Sequence, residues 1–453
     1  MSVSEKHFLC LFDGKKRKKF RFFQKLDFFC SCVIYLIQQN RKERGTKPVT
    51  LVELYAKAPC NNIYSCLATS PERVVFVGSD SKDMKRSADV FRSVFFERGQ
   101  NPEIICKAVP KNDVSRAMQL MEEIYVTYDD CVFDITGGDK MLVFALGRYC
   151  EKNKDKKIFI HSFNVTNDRI CDCDGDGKTA EYRVPSLSVR ENIMIHGGMC
   201  DWDSRNRKKE SQEFKNDVKK LFSICRENPR GWNSQMNILA AIEEMGDKKD
   251  NATFLDKEKL KIFLERRKSK VIFNKPIMQS LFSARLVTEY RADAQGLVIK
   301  YKNAQIKNCL TKAGIVLELS VYLAAKECRE KDGTPVYNDA ATGVIIDWDG
   351  KNMLYDTKNE IDVLLMHGIV PVFVSCKNGY VSMDELYKLS AVAERFGGPF
   401  AKKALVAADL DVDCDNGKYL LARAKDMDIE VICGDLAFRE RNFQKRIANL
   451  WKK

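Results

Sequence analysis

At 453 residues the chain is too long for one hydrophobic core, which rarely grows beyond about 250 to 300 residues, so two or three domains are expected. Lys and Arg outnumber Asp and Glu by 76 to 63, but residues 1–45 alone hold 11 basic and 4 acidic side chains, leaving 65 and 59. The remainder is only mildly basic, which argues against a protein coated in nucleic acid and fits local contact with an anionic partner.

The N-terminal stretch sets a basic run, KKRKKFR (15–21), before an apolar one, FFCSCVIYLI (28–37). The apolar run is too short to cross a bilayer and lacks a small-residue cleavage site, so residues 1–48 read as an extension, disordered or helical. Seventeen cysteines form an odd count with no CxxC pair, which places the chain in a reducing, cytoplasmic compartment.

From residue 73 the pattern becomes regular. RVVFVGSD (73–80) is a short β-branched run, and KDMKRSADVFRSVFFERG (82–99) carries apolar residues at helical spacing and stops on Gly99. The unit recurs as EIICKAVP with DVSRAMQLMEEIYVTY, then CVFDITGG with DKMLVFALGRYCEK, and closes on KKIFIHSFNV. Such alternation predicts an α/β fold with a parallel, doubly wound sheet, whose ligands bind beyond the carboxyl ends of the strands. Two strand ends carry suitable chemistry: Gly78-Ser79-Asp80, and DITGGDK with Asp134, Thr136, Gly137, Gly138, Asp139 and Lys140. Paired glycines let backbone N–H groups approach an anion at a helix N-terminus, and a hydroxyl and an ammonium add donors. CDCDGDGK (171–178) imitates the start of a calcium loop, but Arg183 stands where a bidentate glutamate is needed, so it reads as a hairpin turn.

Residues 186–305 form a linker region. SRNRKKESQEFKNDVKK (204–220) is a charged helix or solvated linker. The helices and Gly-turned hairpin between NSQMNILAAIEEM and LVIKY admit either a winged-helix-like module or a bridge between the end domains.

A second α/β pattern fills residues 306–453. The helix TKAGIVLELSVYLAAKE (311–327) embeds Glu318 among apolar neighbours. Strands ATGVIIDW, NEIDVLLMHG and VPVFVSCKNG follow, and Ser382 with Glu385 has the spacing of a capping box for the next helix. Side chains two apart on a strand share a face, so Glu360 pairs with Asp362 and Ser375 with Lys377. If the strands are neighbours, carboxylates and an ammonium converge at one sheet end. Carboxylates there suit a hard divalent cation, Mg2+ or Mn2+, and the lysine suits a phosphate or a water. Cys376 lies on the opposite strand face, so a nucleophilic cysteine is not expected. His367, in the turn MHG, reads as a turn histidine.

FVGSD followed by DITGGDK, over residues 49–185, resembles the CARF domain of CRISPR-associated ancillary proteins. The resemblance implies a Rossmann-like domain that binds a cyclic oligoadenylate through Ser79, Asp80, Thr136, Gly137, Gly138 and Lys140. The C-terminal order of helix, three-stranded meander, helix and strand, with EIDV (360–363), SCK (375–377) and Glu318, resembles the PD-(D/E)xK restriction-endonuclease-like superfamily. Together they resemble the type III CRISPR ancillary nucleases. That family implies a homodimer activated by cyclic tetra-adenylate, cutting single-stranded DNA or RNA and nicking duplex DNA. Its metal would rest on Asp362, Glu318 or Glu360, and the Cys376 carbonyl, with Lys377 beside the scissile phosphate. One position departs: Ser375 stands where the commoner ExK places a metal-binding glutamate. A degenerate nuclease domain in a ligand-gated DNA-binding regulator is the alternative.

Overall fold

The computed structural model describes residues 49–128, 130–164, 169–173, 179–201, 210–267, 272–312, 314–348, 358–434 and 437–452. The expectations for residues 1–48, for the centre of CDCDGDGK and for the start of the 204–220 segment fall outside them. Two compact units are distinguished: Met1–Tyr55, Ala68–Ser79 and Pro102–Arg183 in one, Ala56–Leu67, Asp80–Asn101 and Val184–Lys453 in the other.

The first unit is built on seven strands. They are β1 (Thr50–Leu54), β2 (Arg73–Gly78), β3 (Glu103–Ala108), β4 (Cys131–Asp134), β5 (Phe159–Asn164), β6 (Arg169–Asp172) and β7 (Thr179–Arg183), in the order β3-β2-β1-β4-β5-β6-β7. The first five positions are parallel, and β6 and β7 are antiparallel additions. TLVEL, which sequence periodicity leaves unremarkable, is the central strand: every residue of β1 is buried, as expected for a parallel strand covered on both faces. Val52, Leu54, Val75, Val77 and Phe133 pack with the apolar faces of helices Val114–Thr127 and Lys140–Lys152. Chain order reverses at β1, which has β2 on one side and β4 on the other.

The second unit takes in helices Ser81–Glu97 and Val189–Ile195 and a short strand β8 (Met199–Asp201), and then holds β9 (Asp247–Lys249), β10 (Ala252–Asp256), β11 (Val287–Asp293) and β12 (Gly296–Tyr301) as a four-stranded antiparallel sheet, β11-β12-β10-β9. Helices Pro229–Met245, Lys257–Arg267 and Lys275–Ser283 share its core, with Trp232, Leu239, Phe263, Leu281 and Ile299 all buried. Farther on, β13 (Asp339–Asp347), β14 (Lys358–His367) and β15 (Val370–Lys377) make an antiparallel meander. β16 (Lys402–Ala407) and β17 (Ile429–Cys433) extend it in parallel, and β8 pairs with the far side of β13.

One face of this six-stranded sheet, with Val363, Leu365, Val372 and Val374, packs on Leu317, Val321 and Leu323 of helix Ile315–Glu327. Each such side chain contributes about 1.5 to 3 kcal/mol by leaving water. The helix begins later than its sequence suggests. Gly314 takes φ +90° and separates it from helix Ala304–Thr311, because only glycine enters that region without steric cost. Among the described residues no single helix is long and apolar enough to cross a membrane, and no cysteine is in a disulfide.

Candidate functional site

Antiparallel pairing of β14 with β15 runs from His367↔Val370 to Val363↔Val374, which places Asp362 and Ser375 at the next step, where the strands part. Asp362 Oδ2 accepts a hydrogen bond from the Cys376 amide at 2.7 Å and from Ser375 Oγ at 3.3 Å, and Lys377 Nζ lies 3.7 Å from it. The expected convergence of Asp362, Ser375 and Lys377 is therefore present at one sheet end. N–H and C=O of a strand residue point to the same side, so the Cys376 carbonyl also faces β14. The Cys376 side chain turns into the core, 4% exposed, and its thiol is pushed well above its usual pKa by burial and then by Asp362 and Glu318. A thiolate nucleophile has no place here.

Glu318 enters from the first turn of helix Ile315–Glu327. Its carboxyl is pushed up to about 8, by burial first and then by the Asp362 and Glu360 carboxylates, with Lys377 opposing. Three acids and one ammonium thus share a field that favours either a proton on Glu318 or a nearby cation. A glycine makes room for it: a Cβ on Gly314, at φ +90°, would come within 3.1 Å of Glu318 Oε1.

A sign follows for stability. Glu318 holds its proton in the folded chain up to about 8 but would lose it near 4.5 when unfolded, so the folded state binds more protons between those values. The Glu318 contribution to the stability of the metal-free protein is then greatest below that window and falls on the order of 1 kcal/mol per pH unit across it. Urea unfolding should show the decline, over a window that ends at lower pH in Asp362→Asn, where one repelling charge is gone. An unmoved upper limit would contradict the coupling.

Lys377 has a second partner that the sequence pattern concealed. Glu385 Oε2 lies 3.1 Å from its Nζ, and Glu385 Oε1 lies 3.2 Å from Lys388 Nζ. The predicted capping box is not formed: helix Met383–Gly397 has no side-chain cap bond at Ser382, and the Glu385 side chain turns to the two lysines instead. Burial works to raise the Glu385 pKa, yet the bond and charge of Lys377 and then Lys388 carry it below the ordinary value. Burial likewise works against charge on Lys377, and Asp362 and Glu385 outweigh it, so the ammonium is kept. An acid eight residues beyond the lysine was the one available signal.

His367 lies elsewhere. At the opposite end of β14 its Nδ1 contacts the Val336 carbonyl at 2.5 Å and its ring stacks on Trp451 with centroids 3.6 Å apart, a packing role.

In the first unit, the DITGGDK loop follows β4 beside the carboxyl end of β1, at the reversal of strand order where α/β sheets bind ligands. Gly138 takes φ +85°, and a Cβ there would meet Leu54 Cβ at 2.7 Å, so the loop closes on β1 only with glycine. Asp134, fully buried, accepts from the Thr136 amide at 2.7 Å, and Thr136 Oγ1 accepts from the Phe163 amide at 2.7 Å, which ties the loop to β5. Asp139 caps helix Lys140–Lys152 through the Met141 and Leu142 amides. Gly137 is half-buried, and Lys140 and Ser79 are exposed at the ends of their loops. Asp80, in the second unit, is the N-cap of helix Ser81–Glu97, accepting from the Lys82 and Asp83 amides.

Among the described residues no group of three or more His, Cys, Asp or Glu side chains is assembled to hold a metal ion. The donors that fit one are sparser: Asp362, whose three contacts all use Oδ2, Glu318, and the Cys376 carbonyl. A hard cation bound by one or two carboxylates completes its shell with water and substrate phosphate, so oxygen donors of this number fit such a cation.

No protein-family model matches the chain, and no curated protein matches it. Among solved structures, protein VC1899 from Vibrio cholerae is similar with TM-score 0.68 at 14% identity, over 89% of this chain and 98% of that one. Can2 from Sulfobacillus thermosulfidooxidans, solved in complex with cyclic tetra-adenylate, is similar with TM-score 0.63 at 16% identity, over 90% of this chain and 98% of that one. At such identities the likeness establishes the fold and leaves the chemistry to the residues.

Proposed function

We propose that the chain is a metal-dependent nuclease switched on by a cyclic oligoadenylate, a member of the type III CRISPR ancillary nucleases with a CARF domain over residues 49–185 and a PD-(D/E)xK domain over 306–453. The observation that carries the reading is the 3.7 Å approach of Lys377 to Asp362 at the end of two adjacent strands, with the raised Glu318 beside them. The cyclic tetra-adenylate held by Can2, a protein of the same fold, supports the same activator here. A ring with two-fold symmetry suits a two-fold protein site, which favours a homodimer.

When bound, Mg2+ or Mn2+ supplies an acidified water and neutralises phosphate charge. Asp362 and Glu318 hold it, with the Cys376 carbonyl and Glu360 at the margin. Lys377 sets its ammonium against the scissile phosphate, and Glu385 positions that ammonium. Ser375 adds only a hydroxyl, so affinity for the cation is modest and Mn2+ is preferred. Single-stranded DNA and RNA are the substrates, with nicking of duplex DNA. The sparse donor set also favours a second reading, a ligand-gated DNA-binding regulator that cuts nothing.

Cation binding must displace the Glu318 proton. Calorimetric Mn2+ titrations near neutral pH, in buffers of differing ionisation heat, should show release of about one proton, and no release would remove Glu318 from the donor set. Glu385→Gln should lower the cutting rate about tenfold while leaving Mn2+ affinity unchanged, since a positioning group acts on the transition state. A matching drop in Mn2+ affinity would make Glu385 a ligand instead. The reading as a whole is tested by incubating the protein with single-stranded DNA, RNA and supercoiled plasmid, with Mn2+ and cyclic tetra-adenylate. Duplex binding with no cutting under any of these conditions would favour the regulator.

A further inference from the structure

Outside residues 1–45 the chain holds 65 basic and 59 acidic side chains, an excess of six. Residues 257–285 alone hold nine basic and two acidic side chains, an excess of seven, so the positive balance outside residues 1–45 is concentrated in 29 residues. Those residues carry helices Lys257–Arg267 and Lys275–Ser283. Their surroundings have a definite order: helix Pro229–Met245, strand β10, the two basic helices, then hairpin β11–β12, with β10 and β11 on either side of β12. This is the order of a winged helix, in which the helix before the hairpin enters the major groove of a duplex.

Helix Lys275–Ser283 has one apolar stripe, Ile277, Met278 and Leu281, fixed in the core. The opposite stripe, Lys275, Gln279, Phe282 and Ser283, is exposed at a spacing of three and four, with Phe282 50% exposed. An ammonium, an amide, an aromatic edge and a hydroxyl are the groups that read phosphates and base edges. Among the described residues no carboxylate forms an ion pair with Lys257, Arg266, Lys275 or Arg285, whereas Arg291 in the hairpin is held by Glu289 and Asp293. The unneutralised charge is therefore on the helix pair rather than the wing.

We infer that helix Lys275–Ser283, flanked by Lys257, Arg266 and Arg285, is a docking surface for duplex DNA, separate from the Asp362 and Lys377 centre. It holds the duplex through phosphates and works without cation or activator, so it stands independently of the nuclease reading.

The test is fluorescence anisotropy of the full chain with a labelled duplex of about 20 base pairs in EDTA, over a salt series between about 50 and 200 mM. Wild type should bind with affinity that falls steeply with salt. Lys275→Glu with Arg285→Glu should weaken binding at least about tenfold and reduce the log–log salt slope by about 2, near one for each phosphate no longer neutralised. Lys331→Glu, exposed elsewhere on the chain, should change neither. If the double variant melts early, Lys275→Gln alone should still lower the slope by about 1. Wild-type affinity and slope in these variants would overturn the inference. So would equal competition by a single strand of the same length, which would mean a channel for unpaired strands. Cutting is not read, so a failed nuclease reading leaves this result interpretable.

Discussion

Lys377→Ala should lower phosphodiester cleavage by about a hundredfold to a thousandfold, the scale of removing one group aimed at charge developing in a transition state. The side chain is about one third exposed and rests on Asp362 and Glu385, so its loss opens no cavity in the core. The electrostatic effect has a direction of its own. Lys377 is the one group that lowers the Glu318 pKa against burial and two carboxylates, so its removal raises that pKa further. The pH at which the variant takes up Mn2+ should therefore move upward, together with the loss of rate. Lys377→Arg keeps the charge but replaces a compact ammonium with a larger planar fork whose donors point in fixed directions, and should recover only part of the activity. Steady-state rates on a labelled single strand decide this, and full activity in Lys377→Ala would remove the lysine from the mechanism.

Gly138→Val should cost about 2 to 4 kcal/mol of stability and eliminate activator binding. A β-branched residue at φ +85° is strained, and its Cβ would overlap Leu54 where the loop closes against β1. Displacing the loop also disturbs the Asp134–Thr136 and Thr136–Phe163 bonds that shape it. Lys140→Ala separates shape from charge: the residue is exposed, so its melting temperature should stay that of wild type while affinity for cyclic tetra-adenylate falls about tenfold or more. Isothermal titration with the ring, paired with thermal melts, distinguishes the two variants. Unchanged affinity in both would place the activator elsewhere.

Much of the site was legible because its signals are local. Alternation along EIDV and SCK fixes which side chains share a face, and buried β-branched runs mark the strands that carry them. The meander then needed only one pairing, β14 with β15, for Asp362 and Lys377 to meet. Glu385 was not legible, since its helical position and its distance of three from Ser382 satisfy a capping rule equally well. Only the approach of the helix to β15 decides for Lys377. Asp80 carries a cap that its place before a helix makes legible: its Oδ1 accepts from the Lys82 and Asp83 amides. The break at Gly314 was hidden because TKAG continues the helical apolar spacing, and the positive φ appears only when Ala304–Thr311 packs separately. Strand β1 was not legible as a strand because the buried Thr50 and Glu53 leave TLVEL a weak apolar run.

The most direct measurement is the nicking of supercoiled plasmid and the cutting of a labelled single strand by the full chain in Mn2+, with and without cyclic tetra-adenylate, beside Lys377→Ala. The account predicts cleavage that requires both ring and cation and nearly disappears in the variant. Cleavage that ignores the ring, or that persists undiminished without Lys377, would contradict it.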